Sequence, residues 1–442
     1  MMRNKFVRVI LFVLIFAISF SVVSKIFVAP ADYRNYQWIR GFYAEEENTL
    51  DAIYIGSSNC YAFWNPVIAW EEYGIAVYPF ASQAQPLFAA EYLIKEARKT
   101  QEDAVFIVNI NTLNDGVMTE AYLHYLLDYM PFSLNKLALT NHLANLVGYT
   151  FAERMEFYVP MLRYHSRWNS LTRNDFNYEI DGLKGASYYE TYLYKSTDLT
   201  QTYKRSDKKS ELSENILYSV NHLLDYCDEE NVEVIFVTVP QMRKTVEQVE
   251  DYNAINDLIE ARGYNVVSLI NNPEGIGLNL DQDFYNLFHT NVHGSLKFTE
   301  YISNYLIDKY GFENKKDDEV YASWNKAVKK YLPKLSKAVV DVELEISKRV
   351  YDLAIPQNLS ADSSNGVTLV WDSVEGADGY TVFRKDGENG DWLRVVTVNQ
   401  TGYVDSNVTK DTTYIYTVVP YRYIDDEAYY GNFDYNGVKV NS

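Results

Sequence analysis

Cysteine is almost missing from this chain of 442 residues: only Cys60 and Cys227 occur. Two isolated cysteines exclude a disulfide-stapled scaffold, and no metal-type spacing exists, so a structural zinc site is excluded. Spacing alone does not pair them, and both read as free, buried thiols. No metal and no cofactor is expected. Basic residues are also short, 40 against 60 acids, for a formal charge of -20. Such a field repels phosphate backbones, which argues against a nucleic-acid partner. Acids in turn are missing from the amino terminus, where none precedes Asp32.

What is present is apolar and aromatic. Hydrophobic residues make up 47% of the chain, which excludes global disorder, and its length allows two or three domains. Forty tyrosines stand out. They suit sugar stacking, but equally β-structure and half-buried surfaces.

Residues 9–24 (VILFVLIFAISFSVVS) form an apolar run preceded by Arg3, Lys5 and Arg8. It reaches the ~20 residues needed to cross a bilayer if Lys25 snorkels and Ile26–Val28 are counted. The basic flank predicts a short tail inside and the rest of the chain outside. A cleaved signal peptide is the alternative, but no convincing small-x-small site follows. The reading is an uncleaved, single-pass anchor in the cell membrane, with the bulk of the chain extracytoplasmic.

Residues 31–48 read as a short juxtamembrane helix. Ala52–Ile55 is a short apolar strand breaking at Gly56-Ser57-Ser58, followed by a strand at 75–82, a helix at 86–99 opened by Pro86, and a strand at 104–110. After an interruption at about 113–213 come a helix (214–228), a buried strand (232–239), a helix (244–262) and a strand (264–269). This alternation predicts parallel βαβ units. The fold class is α/β, with a flavodoxin-like three-layer parallel sheet. Residues 281–311 are a loop running into a helix. The charged stretch 314–346 reads as a helical connector, with Pro333 as a kink or boundary. From Pro356 the texture changes to short alternating strands, as in a small β-sandwich with 13 acids and 6 bases. The expected parts are 1–30 (tail and transmembrane helix), 31–313 (α/β domain), 314–353 (connector) and 354–442 (sandwich).

A serine nucleophile needs a sharp turn that exposes its Oγ and a base within reach. Gly56-Ser57-Ser58 supplies the turn at a strand end, where open α/β sheets place ligands. The distant partner is Asp283-Phe284-Tyr285-Asn286-Leu287-Phe288-His289, opening a late helix. Together these segments resemble the first and fifth blocks of the SGNH (GDSL) hydrolases, over about residues 50–310. Gly56-Ser57-Ser58-Asn59-Cys60-Tyr61 with Asn65-Pro66 is similar to the membrane-anchored branch. That branch includes the D-alanine transfer protein of teichoic acid synthesis and the alginate O-acetyltransferase-like proteins.

The resemblance implies Ser58 as nucleophile and His289 as base. The family's Asp, three residues before the His, is here Asn286, which can orient an imidazole but cannot offset its charge. Asp283 is a possible substitute. The oxyanion donors implied are the backbone N–H groups of Ser58 and Ala81, with Asn111 or Asn109 in the third block and Asn111 preferred. In the interruption, His165, Arg167 and Trp168 suit a substrate wall, or else Trp168 is core and Arg167 closes a salt bridge. Lys184-Gly185 is a weaker candidate, and His293 reads as a solvent-facing residue at a helix start, with lining of the cleft as the alternative. The sandwich resembles a fibronectin type III domain, with Pro356, Trp371, Gly379-Tyr380, Tyr403 and Tyr414 at the places expected for its core and corner.

Two functions follow. One is a serine enzyme that moves an acyl or O-acetyl group to or from a cell-envelope or exported polysaccharide. By resemblance it works beside a membrane-bound O-acyltransferase and has a polysaccharide or teichoic-acid-like acceptor. The alternative is a catalytically impaired glycan-binding or scaffold protein.

Overall fold

A computed structural model describes the chain apart from residues 1, 29–33, 113–119, 177–182, 191–202, 243, 281, 351–352, 365, 389, 391 and 425–426. The expected boundary at residue 30 and much of the second half of the interruption lie outside the described residues. The apolar run forms α1 (Met2–Phe27), and its described side chains from Val7 to Phe16 are exposed. Among the described residues no helix is long and apolar enough to cross a membrane, so the expected transmembrane helix is not found there. Helix α2 (Arg34–Phe42) does not lie free beside α1's end: Ile39 and Phe42 are buried against the central domain.

The central domain follows as β1 (Ala52–Gly56), α3 (Ser58–Phe63), α4 (Pro66–Tyr73), β2 (Val77–Ala81), α5 (Ala89–Ala97) and β3 (Val105–Asn109). Then come α6 (Glu120–Leu127), α7 (Leu134–Val147), α8 (Phe151–Tyr158), α9 (Pro160–Tyr164), a 3-10 turn at His165–Asn169 and α10 (Arg173–Phe176). The sheet resumes after α11 (Glu214–Glu229) with β4 (Val234–Thr238), α12 (Val246–Ala261) and β5 (Asn265–Ser268), and α13 (Val292–Tyr310) closes the domain.

The strands pair in parallel in the order β2-β1-β3-β4-β5. In β1 alternate side chains enter opposite layers. Ile53 and Ile55 join Phe80, Phe106 and Phe236 on one face, while Ala52 and Tyr54 join Ile107, Ile235 and Phe298 on the other. Every residue of β1 to β4 is buried, which is why these strands read as unbroken apolar runs. The chain goes from β1 outward to β2, then back past β1 to β3. The carboxyl ends of β1 and β3 therefore flank the topological switch point, where such sheets open a crevice.

Helix α14 (Ala322–Val350) continues through Pro333, which is therefore no boundary. It is not a free connector: Leu335, Ala338 and Val342 pack against Val67, Ala186 and Val292. The carboxyl-terminal part holds β6 (Ser360–Asp362), β7 (Val367–Val370), β8 (Gly379–Asp386), β9 (Leu393–Val398), β10 (Gly402–Asp405), β11 (Thr413–Ile424), β12 (Glu427–Tyr430) and β13 (Val438–Asn441). They form two antiparallel sheets, β10-β7-β6 and β12-β11-β8-β9, with β13 on β11. Trp371, Tyr380 and Tyr414 lie in their shared core. The Tyr380 and Tyr414 hydroxyls accept from the N–H groups of Val374 and Thr409. These tyrosines are packing and corner residues.

Candidate active site

Strand β1 ends on Gly56 at φ 154, and a Cβ there would lie 2.8 Å from both Asn109 Cβ and Cys60 Sγ. Only glycine lets the chain pass so close to β3 and turn at once into α3. Ser58 is the first residue of α3, so its backbone N–H belongs to the first turn and has no partner within the helix. From Thr49 to Val67 every residue is buried except Ser58, which is half-buried. The nucleophile candidate thus occupies the one opening in a sealed stretch. Cys60 is no competitor, because burial pushes its thiol well above the ordinary range.

His289 sits in a tight loop ahead of α13. The N–H groups of Tyr285 and Asn286 both donate to the His289 carbonyl, at 2.9 and 3.4 Å. Thr290 Oγ1 donates to Ala62 O at 2.8 Å, and Asn65 N donates to Thr299 Oγ1 at 2.9 Å. These two bonds tie the start of α13 to the segment that follows Ser58. The result is His289 Nε2 at 2.7 Å from Ser58 Oγ. Burial lowers the imidazole pKa from 6.5 to about 4, so the ring is neutral at pH 7 and able to accept a proton.

The third member expected of the site is not where the sequence put it. Asn286 does not orient the ring. Its Oδ1 accepts from the backbone N–H groups of Phe288 (2.9 Å) and His289 (3.0 Å), so the amide holds the turn instead. Asp283 does not substitute. Its carboxylate accepts from Asn279 N at 2.6 Å and pairs with Lys297 Nζ at 2.6 Å, tying the loop to α13. His289 Nδ1 is buried and has no hydrogen-bond partner among the described residues.

Asn111 is likewise a clamp and not an oxyanion donor. Its Nδ2 donates to Val239 O at 2.6 Å and its Oδ1 accepts from Val239 N at 2.8 Å, locking the loops after β3 and β4 together. Asn109 is turned onto its neighbours, donating to Tyr54 Oη and Asn111 Oδ1. Ala81 pairs with Gly56 at the end of β2, on the same sheet edge as Ser58.

Arg167 is no substrate wall. Its Nη1 donates to the carbonyls of Phe27 (2.9 Å) and Val28 (2.5 Å), and its Nη2 pairs with Asp175 at 2.5 Å. The guanidinium therefore caps the end of α1, which leaves orphan carbonyls as every helix does. His165 and Trp168 are exposed on the same 3-10 turn, and Trp168 belongs to no core among the described residues. Lys184 closes an ion pair with Glu45 at 2.8 Å and also donates to Ser323. His293 does not face solvent: it is half-buried, with Nε2 3.3 Å from Val339 O on α14.

Three site features were missed in the sequence. Tyr189 returns from the interruption to stack on Tyr285, with ring centroids 4.2 Å apart, and lies 6.1 Å from the His289 ring. Two backbone bonds place it, Ser187 N to Tyr61 O and Val292 N to Tyr189 O. Asn59, next to Ser58, has both amide atoms buried without hydrogen-bond partners among the described residues, and Gln85 Nε2 after β2 shares that condition. Only the run Ser187-Tyr188-Tyr189, polar and aromatic together, hinted at the first.

Fold and geometry define a doubly wound α/β protein with a serine–histidine pair at the sheet's switch point, joined to an antiparallel β-sandwich. No family model matches the chain. The amylopullulanase of Thermoanaerobacterium saccharolyticum is 36% identical over 66 residues, which is 14% of this chain and only 5% of that protein. Among solved structures, a putative lipolytic protein of the G-D-S-L family from Desulfitobacterium hafniense is 7% identical, covering 57% of this chain and 97% of its own (TM-score 0.30). A two-domain esterase active on acetylated mannans is 11% identical and covers 92% and 95% (TM-score 0.28). An Fn3-like protein from Clostridium thermocellum is 29% identical over 19% of this chain and 88% of its own (TM-score 0.17). At such overlaps these likenesses carry neither activity nor substrate to this chain.

Proposed function

We propose that this protein is a serine acyl-transfer enzyme acting on acyl esters of cell-envelope or exported polysaccharides. The observation that carries the reading is the 2.7 Å contact between His289 Nε2 and Ser58 Oγ at the switch point. In the reaction Ser58 Oγ attacks the ester carbonyl while His289 Nε2 takes its proton. The oxygen that becomes negative is met by the Ser58 N–H at the start of α3 and by the Ala81 N–H at the end of β2. Collapse breaks the ester bond, and the imidazolium returns its proton to the departing alkoxide. Water or a sugar hydroxyl then attacks acyl-Ser58, with His289 again as base.

The rest of the reading extends from the motif resemblance and the apolar run. The chain is tethered to the cell membrane through α1, whose side chains from Val7 to Phe16 are exposed and apolar except Arg8. The catalytic part is extracytoplasmic. A membrane-bound O-acyltransferase supplies the acyl group, and transfer to a polysaccharide or teichoic-acid-like hydroxyl takes precedence over hydrolysis. The opposing reading, a glycan-binding scaffold, is favoured by one observation: His289 Nδ1 lacks the partner that would stabilise an imidazolium.

The test is turnover of a chromogenic acetyl ester and release of acetate from acetylated polysaccharide by the full chain in detergent. Ser58→Ala should abolish both, and added glycan should divert acetyl from water to sugar. Equal rates for wild type and Ser58→Ala would reject the enzyme.

A further inference from the structure

We infer that the face built by α8–α10 and the 3-10 turn rests on the lipid bilayer and sets the height of the active site above it. This inference rests on α1 being the anchor, as proposed above, and goes beyond it by assigning a second membrane contact. Exposure changes along α1 and the residue that follows it. Val7 to Phe16, Ile18, Phe20 and Val23 are exposed, whereas Ser24 and Val28 are buried in the body. The helix therefore leaves the body near Ser24, against α9, the 3-10 turn and α10. Arg167 fixes that exit by holding the Phe27 and Val28 carbonyls.

The elements around the exit carry large apolar groups that no core uses. Leu162 on α9, Trp168 on the turn and Phe176 on α10 are all exposed, as are Phe151 on α8 and Phe132, whose ring lies 6.5 Å from Tyr158 at the end of α8. Trp168 is 72% exposed, while the six other tryptophans are buried. Exposed aromatic residues at the root of an apolar helix match the composition of a membrane interface, where rings sit at headgroup level. Charge agrees. Residues 151–176 hold Arg154, Arg163, Arg167 and Arg173 against Glu153, Glu156 and Asp175, a net of +1 in a chain of -20. This is a face that an anionic lipid surface does not repel.

The experiment uses the full chain reconstituted into vesicles of phosphatidylcholine and phosphatidylglycerol, with Trp168→Phe as reference. The difference in emission between the two proteins reports Trp168 alone. The expected result is a blue-shifted Trp168 component, quenched by phosphatidylcholine spin-labelled near the headgroup and closed to aqueous iodide. If the protein floats with the vesicles but that component stays open to iodide and insensitive to spin label, the anchor stands and this inference falls. A component closed to both quenchers means a second protein copy covers the face, which also overturns it. Failure to float rejects the anchor itself and the inference with it.

Discussion

The lowered pKa of His289 makes a prediction that separates this site from an ordinary serine–histidine pair. Burial alone brings the imidazole to about 4, and no described carboxylate pairs with Nδ1 to raise it again. Suppose Ser58 is acylated by an activated acetyl ester, with the rate followed by intact mass as pH is lowered. A base of pKa about 4 is still ~90% neutral at pH 5, whereas an imidazole at the usual 6.5 is only ~3% neutral. Wild type should therefore keep nearly its full pH 7 rate at pH 5 and lose it only as pH falls through about 4. Asn286→Asp keeps the acceptor for the Phe288 and His289 N–H groups and adds a charge. A charge on the order of 6 Å from an imidazole, at an effective dielectric of ~20, is worth roughly 3 kcal/mol, or about 2 pKa units. The variant's inflection should move up towards 6 on that scale, with a faster plateau because the imidazolium is better stabilised. Stability follows the same linkage. The unfolded chain binds the histidine proton at 6.5 and the folded one only near 4, so stability is lost as pH falls between these values. The loss is at most about 3 kcal/mol, and His289→Gln should remove it. A wild-type inflection near 6.5, with no shift in Asn286→Asp, would refute the reasoning.

Three further outcomes are expected. Gly56→Ala places a Cβ 2.8 Å from Asn109 and Cys60 at a positive φ, so urea unfolding should show a loss of about 2 kcal/mol or more, with Ser58 acylation falling alongside. Asn111→Ala strips both backbone groups of Val239 of their partner and should cost about 2–3 kcal/mol, while the folded fraction keeps its acylation rate. A hundredfold rate loss without destabilisation would instead make Asn111 an oxyanion donor. The sandwich core around Trp371 and Tyr416 also takes in Leu353, one residue before the expected boundary, so residues 353–442 should melt cooperatively alone; a featureless calorimetric trace would reject that boundary.

The sheet was legible because β1, β3 and β4 are buried on both faces and read as apolar runs bounded by turns. Ser58 and His289 were legible through the resemblance of two segments to hydrolase sequence blocks, the Gly-Ser-Ser break after β1 and the Asp283–His289 stretch ahead of α13; the break alone would not have singled out Ser58. Their partners were not. Asn286 lies three residues before His289 as a triad member would, yet its amide meets the nearer N–H groups of its own turn, which no spacing reveals. Asp283 was claimed by Lys297 on α13. Arg167 was readable as an anion binder or as a salt-bridge partner; its pair with Asp175 bears out the second, while its hold on the carbonyls ending α1 had no signal in the sequence. Tyr189 reaches the site only through a long return of the chain, so its polar and aromatic surroundings hinted at a role without placing it beside His289. Helix α2 was readable as a helix, but its burial against β2 depends on tertiary contact.

The central claim is that His289 makes Ser58 a nucleophile, and covalent labelling tests it most directly. The full chain in detergent at neutral pH should take up one equivalent of a serine-directed fluorophosphonate, mapped to Ser58 by peptide mass spectrometry. Ser58→Ala should take up none, and His289→Ala should react at least a hundredfold more slowly, within the usual contribution of a general base. Absence of label on Ser58 in folded wild type, or equal labelling of the His289→Ala protein, would contradict the account.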